Sequence, residues 1–450
     1  MVSLISSFVV AQLQVPCANP RIRQDFRVVQ QNGKWSRIVN AYRTMKHSGR
    51  ISYYAKIHQD IFGQIHNTIQ FLTWHRAFIW EFENEIRSIG GNDLTLPYID
   101  WAAEGTAYNG QVDQSVANHP YYYAKQNGQC LAGQVYDTFM LAGQFNGGQC
   151  IRRSTDQSVL VAGWADLDNN IINNRAFSGF SDSIQYGIHA NVHIRFGGHM
   201  GSTYSPVDPM FFGHHGFIDM TMNIWQYVRS NFNNMGSSIS TRTFTINGNT
   251  YTHGGVFAMN SMCARYQRYV ESRSSRKLKK RQSDTNSTDS PTPTNTTATS
   301  TTSESPEATA TESGISQGEH YDAPDIPSYS DAEIASYNDD LVKHYDDLKS
   351  KLNSTDDCQK SIAGFYTGSF LPLDNHPSDD ALAKLGLDPS KYKEVAATIF
   401  DQREQLSKAG EFVRKTVEQV KSENKDKYPS AGSGASAQSP VIMFVIFMMQ

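Results

Sequence analysis

Two stretches decide the fold: IHNTIQFLTWHRAFIWEFENEIR at Ile65–Arg87 and IHANVHIRFGGHMGSTYSPVDPMFFGHHGFID at Ile188–Asp219. With His58 just ahead of the first, they carry two histidine triplets, His58, His66 and His75, then His189, His193 and His215. Neutral imidazole is a borderline-soft nitrogen ligand that suits copper, zinc, nickel and iron. Six imidazoles with no cysteine or carboxylate among them point to a paired, redox-active metal site in the first half of the chain.

Spacing turns these residues into local structure. His189 and His193 are four apart, so on a helix they share a face and can chelate one ion. Gly197 and Gly198 end that helix, SPVDP supplies turn chemistry, and a new helix presents His214 and His215. Adjacent helical residues point about 100° apart, so one of these two reaches the metal. In the first triplet, the nine-residue step from His66 to His75 would turn the two ligands about 180° apart on a continuous helix. The spacing therefore predicts a helix break near Asn67–Thr73, with His66 in the break and His75 on the next helix. Phe78, Ile79, Phe82 and Ile86 give that next helix an apolar face, and Glu83 with Arg87 forms a candidate ion pair on it.

The strings PCANPRIRQDFR at Pro16–Arg27, FLTWHRAF at Phe71–Phe78, LPYIDW at Leu96–Trp101 and the two histidine stretches resemble the central domain of the tyrosinases, a type 3 dicopper family. The resemblance covers residues 15–270. It implies a mainly α fold, a four-helix bundle with irregular loops holding a dinuclear copper site. His58, His66 and His75 would bind the first copper, and His189, His193 and His215 the second. His214 and His199 would pack behind them, and Asp219 would orient an imidazole or cap structure. The chemistry implied is O2-dependent hydroxylation of phenols at the ortho position and oxidation of catechols to quinones, with small phenols as substrates and the metal pair rather than a protein nucleophile as the reactive centre.

Several residues depart from the family pattern. Ala190 follows His189 where many phenol-hydroxylating relatives carry Asn to position a water, and Asp182 is the only acid between Phe180 and Gly187. Both favour catechol oxidation over phenol hydroxylation. Ser202 and Thr203 stand where bulky residues roof the pocket in some catechol oxidases, leaving access open. Gln64, two before His66, excludes a Cys–His thioether there. Ile99 replaces a usual Trp in LPYIDW, and Met222 stands where Trp is expected after Asp219.

The chain of 450 residues is too long for one typical domain, and its composition changes sharply near residue 275. Residues 1–14 read as a candidate signal peptide with Ala11 as cleavage site, and 15–272 as the catalytic domain. Residues 273–328 hold a basic cluster, with a candidate processing site at Lys279, Lys280 and Arg281, and a Ser/Thr/Pro tract that cannot bury a core. Sequons lie at Asn286, Asn295 and Asn353. Residues 329–428 form a small helical C-terminal region: Ile334 to Leu352 give one amphipathic stripe, and Asp388-Pro389 a cap and first turn for a second helix. Residues 429–450 combine a small-residue tract with a short apolar tail, a candidate lipid-anchor signal.

These segments predict a secreted or cell-surface glycoprotein. By the family resemblance, the C-terminal part is an extension that keeps the enzyme latent until it is removed; the apolar loop GFYTGSFLPL offers Phe365 or Tyr366 as a candidate plug for the pocket. None of the five cysteines is in a CxxC pair; Cys130–Cys150 is the favoured disulfide, ahead of Cys17–Cys263. A formal charge of −4 gives no reason to expect nucleic acid as a partner. The competing functions are a reversible O2 carrier of the haemocyanin kind, which uses the same dicopper site, and a protein in which zinc or structural metal merely holds the fold.

Overall fold

The computed structural model describes residues 20–107, 110–112, 130–131, 150–229, 231, 235, 238–257, 259–267 and 377–423. The candidate signal peptide, the processing site Lys279–Arg281, the Ile334–Leu352 stripe, Phe365, Tyr366 and the apolar tail lie outside these residues. The described residues all fall in one compact unit formed by Met1–Tyr269 and Asn338–Gln450.

The architecture is mainly α, as the resemblance implies. A short strand β1 (Arg21–Gln24) leads into α1 (Phe26–Gln31), capped by the Asp25 carboxylate, and α2 (Trp35–His47). Ile38, Tyr42 and Met45 recur at helical spacing on α2 and are fully buried. Then come α3 (Arg50–Asp60), the single turn α4 (Phe62–Ile65) and the long α5 (Phe71–Gly90). After α6 (Trp101–Ala107) and α7 (Trp164–Asn173), a continuous helical run comprises α8 (Phe177–Ser183), a π-helical segment Ile184–His189 and α9 (Ala190–Phe196). A second long helix, α10 (Met210–Arg229), packs directly against α5. These four pieces, α3, α5, the α8–α9 run and α10, are the expected four-helix core.

Little sheet accompanies them. The strands β2 (Thr243–Ile246) and β3 (Asn249–Thr252) form a hairpin. Its turn is Asn247-Gly248, both at positive φ, the pair a two-residue hairpin turn demands. β1 pairs in parallel with β4 (Ala264–Gln267), tying the start of the domain to its end. The LPYIDW stretch lies on α10 at Gly213 and Gly216, where added Cβ atoms would stand 3.0 Å from Ile99 and 2.9 Å from Tyr98. Ile99 therefore fits a close helix contact, a packing role.

The C-terminal helices α11 (Asp379–Lys384) and α12 (Pro389–Glu423) complete the described chain. Asp388 caps α12 by accepting from the Ser390 amide at 2.8 Å, as Asp-Pro predicts. Cys130 and Cys150 are disulfide-bonded, as favoured. Cys263 is also disulfide-bonded, with its partner outside the described residues. Among the described residues, no helix is long and apolar enough to cross a membrane.

Candidate metal centre

The helix break predicted before His75 is present and short. α3 presents His58 in its last turn; His66 caps α4 with extended backbone, and Asn67 takes a left-handed φ of +56°. The chain then re-enters helix at Phe71, so His75 comes round to meet His58 and His66. On the other side, the π-helical segment ends at His189, and α9 carries His193 before Gly197 and Gly198 terminate it at positive φ. π-helical turns are rare and frequently occur at functional sites.

His58, His66 and His75 form one cluster and His189, His193, His214 and His215 another; within each, the candidate ligand atoms lie within 4.8 Å of one another and every residue is buried. The clusters face each other: the His75 and His215 rings stack at 4.4 Å, and those of His66 and His189 are 6.0 Å apart. Aromatic walls enclose them. Phe62 stacks on His66 at 3.8 Å, Phe211 on His215 at 4.1 Å, and Phe71 contacts both His75 and His189.

Backbone carbonyls orient four of the rings. The Nδ1 of His58 bonds to the Thr203 carbonyl, His75 to Phe71, His189 to Gln185 and His193 to Met200, at 2.6–3.0 Å. A carbonyl only accepts, so each Nδ1 carries the proton and each Nε2 is a bare lone pair aimed inward. The Nε2 atoms of His58 and His75 approach to 3.3 Å. Two lone pairs so placed repel unless a cation lies between them. Two imidazoles on one ion at a bond length of about 2.0–2.1 Å and tetrahedral angle stand about 3.3 Å apart. The buried Nε2 of His189 has no hydrogen-bond partner either. The donor set fits a borderline-soft metal such as copper.

Electrostatics agrees with neutral ligands. Burial pulls the His58 imidazole down to about 3 and His193 to about 4. Burial first, then crowding by other imidazoles, holds His66, His75, His189, His214 and His215 well below the usual histidine value.

The other residues singled out by sequence fare unequally. His214 lies inside the second cluster rather than behind it, stacked on His189 at 5.4 Å. Neither of its nitrogens meets hydrogen-bond geometry, although the His189 backbone draws weakly on it. His199 stands outside the clusters, its Nδ1 accepting from the Arg152 amide at 2.8 Å. Asp219 touches no imidazole: it accepts from Arg23 at 3.0 Å, from Tyr266 at 2.6 Å and from Arg76, which follows His75. Through these bonds it joins α5, α10, β1 and β4. Glu83 does not pair with Arg87, because it faces inward to Arg21 and Arg23 and accepts from the Leu96 amide, while Arg87 donates to the Leu94 carbonyl.

Ser202 donates to the His199 carbonyl, and Thr203 acts through its backbone on His58. Asp182 lies 3.8 Å from Lys391 on α12. Ala190 is fully buried in an apolar cluster with Tyr186, Ile194, Leu382, Leu385, Leu387, Tyr392 and Val395. Sequence reasoning missed Met200 and named Thr203 for its small side chain rather than its carbonyl, since a backbone acceptor leaves no mark in residue type. The side chains packed on Ala190 are Leu382, Leu385, Leu387, Tyr392 and Val395, whereas sequence reasoning named Phe365 or Tyr366, which lie outside the described residues.

The fold and this site define a helical protein that gathers six imidazoles, and a seventh beside them, into two facing metal clusters. The family model for the common central domain of tyrosinase matches residues 42–228. The tyrosinase of Streptomyces glaucescens is 30% identical over 220 residues, covering 42% of this chain and 77% of that one. Tyrosinase P of Aspergillus terreus is 24% identical over 273 residues, covering 47% and 76%. A solved polyphenol oxidase from Thermothelomyces thermophila superposes with a TM-score of 0.43 at 16% identity, over 56% of this chain and 91% of that one. The chain belongs to the tyrosinase family of type 3 copper proteins.

Proposed function

We propose that the protein is a polyphenol oxidase: His58, His66 and His75 hold one copper ion, His189, His193 and His215 a second, and O2 oxidises small o-diphenols to o-quinones. The observation that carries this reading is the pair of facing clusters with His75 and His215 stacked at 4.4 Å. Of the two adjacent histidines, His215 stacks on His75 of the first cluster, whereas His214 stacks on His189 and meets Trp101 edge-on, which supports His215 as the ligand. Bound copper supplies the electron exchange with O2. The chain keeps six imidazoles neutral by burial, fixes the tautomer of four through carbonyls, and excludes water with Phe62, Phe71 and Phe211. In the balanced reaction two o-diphenols and one O2 give two o-quinones and two waters.

Diphenol oxidation is favoured over phenol hydroxylation. Ala190 offers no side-chain hydrogen bond to a water, and Asp182 is engaged with Lys391. The full chain is latent, because Leu382, Leu385, Leu387, Tyr392 and Val395 cover Ala190 next to His189. Asn67, next to His66, donates to the Gly386 carbonyl at 3.1 Å, so the cover grips residues beside one ligand of each cluster. Cleavage in the linker at Lys279–Arg281 frees it. Disulfide bonding at Cys130–Cys150 supports secretion through an oxidising compartment, and glycosylation, pigment formation and a lipid anchor belong to the same proposal. Reversible O2 carriage is the second reading; the covered Ala190 favours it for the intact chain, since O2 passes where a phenol does not.

The test is turnover of L-DOPA and L-tyrosine by copper-loaded protein before and after linker cleavage. Quinone formation from L-DOPA that rises on cleavage supports the oxidase. Absence of turnover in both forms, with O2 bound reversibly, sinks it.

A further inference from the structure

One loop aims an imidazole in each cluster. The Met200 carbonyl accepts from His193 at 2.6 Å, and the Thr203 carbonyl accepts from His58 at 2.7 Å, across 145 residues of sequence. The loop runs from Gly197 to Pro209, and the short segment Arg152–Ser154 grips it at both ends. At the start, the Ser154 amide donates to the Phe196 carbonyl at 3.1 Å and the His199 amide to the Arg152 carbonyl at 2.9 Å. Gly197 and Gly198 lie so close that an added Cβ on either would stand 2.4 Å from a carbonyl oxygen, of Ser154 or Arg152.

At the far end the Arg153 guanidinium makes two 2.7 Å bonds to the Asp208 carboxylate, both side chains wholly buried. Asp208 in turn accepts from the Met210 amide at 3.0 Å, which starts the helix carrying His215. Between these grips, the turn Ser205–Val207 packs against α3, the helix of His58.

We infer that Arg153 is a positioning residue for both histidine clusters, setting through Asp208 the loop whose carbonyls hold His58 and His193. A fork that meets a carboxylate at two points fixes orientation as well as distance. Loss of either grip lets the loop drift, so both carbonyls leave their imidazoles together. The Arg153 fork is spent on Asp208 rather than on an imidazole of either cluster, so its effect on His58 passes through the loop. The copper arm of the test rests on the two-ion reading; the proton arm does not.

Two variants of the full-length protein test this. Arg153→Lys keeps the charge but loses the two-point fork. Gly198→Ala pries the loop from the Arg152–Arg153 backbone while leaving both side chains of the ion pair chemically intact. In metal-free protein, proton NMR of the imidazole Nδ1–H groups should show His58 and His193 exchanging faster with water in both variants. His75 and His189, whose acceptors lie in their own helices, should keep their protection. With copper bound, both ions should be lost to a competing chelator about 10- to 100-fold more readily, with kcat lowered more than KM is raised. Wild-type protection of His58 and His193 in either folded variant overturns the inference, as does a change confined to His193 and its ion. If the wild-type protein takes up no pair of ions, the two-copper reading fails while the proton measurement still decides the positioning role.

Discussion

Removing the metal and lowering the pH from about 7 to about 5 puts the buried imidazoles themselves on trial. His58 titrates at about 3 and His193 at about 4 in the folded protein, against 6.5 for a solvated histidine. Their folded values are depressed, so the unfolded chain takes up protons first as pH falls. Above 6.5 both states are neutral and no penalty exists. Below it, each group costs about 1.4 kcal/mol per pH unit, and the loss stops growing once the folded imidazole also protonates, near 3 to 4.

From pH 7 to pH 5 each of these two groups therefore removes about 2 kcal/mol, about 4 kcal/mol together. The remaining five clustered histidines shift in the same direction. Against a typical stability of about 5–15 kcal/mol, the metal-free protein should be largely unfolded near pH 5. Urea unfolding at pH 7, 6 and 5, followed by circular dichroism, reads the slope. Copper-loaded protein, whose ligands are held neutral by the ion, should fall less over the same range. A metal-free stability that stays flat between pH 7 and pH 5 refutes the reasoning, because it means the rings are already solvated.

His215→Ala should leave about one copper per chain by metal analysis while His214→Ala keeps both, given the placement of His215 between the clusters; the reverse pattern would reassign the ligand. Asp219→Asn leaves Arg76 without a carboxylate partner, while Arg23 keeps Glu83, and should cost about 3–5 kcal/mol in denaturant unfolding, with an effect below about 1 kcal/mol counting against a structural role. Leu385→Asp places a charge in the apolar seam over Ala190; burying one leucine contributes about 2 kcal/mol, so the covered state should lose about 30-fold in population. Catechol oxidation by the uncut chain should then rise toward that of the linker-cut chain, and an unchanged rate would show that the helices do not block access.

Local rules carried part of this structure and failed at identifiable places. The i, i+4 spacing of His189 and His193, the rotation count that forces a break after His66, and Asp388-Pro389 all depend on neighbours in sequence, and all three appear as expected. Glu83 and Arg87 obey the same spacing yet do not pair, because Arg21 and Arg23 on β1 offer Glu83 a buried partnership that a single helix cannot reveal. The cover over Ala190 joins residues almost 200 positions apart, through apolar side chains that any amphipathic helix would carry.

Orientation is the part least visible in residue types. Histidines at six positions name the ligands, yet an imidazole with a free rotor and two tautomers is a poor ligand until something holds its other nitrogen. In four of the six that holder is a backbone carbonyl, identical in every residue, so its position depends on the path of the chain rather than on the side chain of Met200 or Thr203. Residues that fix the path then carry the information: glycines at positive φ that admit a close backbone approach, and a buried arginine that closes the loop on Asp208. A substitution at Arg153 should consequently disturb metal binding more than one at Thr203 that leaves the backbone in place, although Thr203 makes the contact and Arg153 does not.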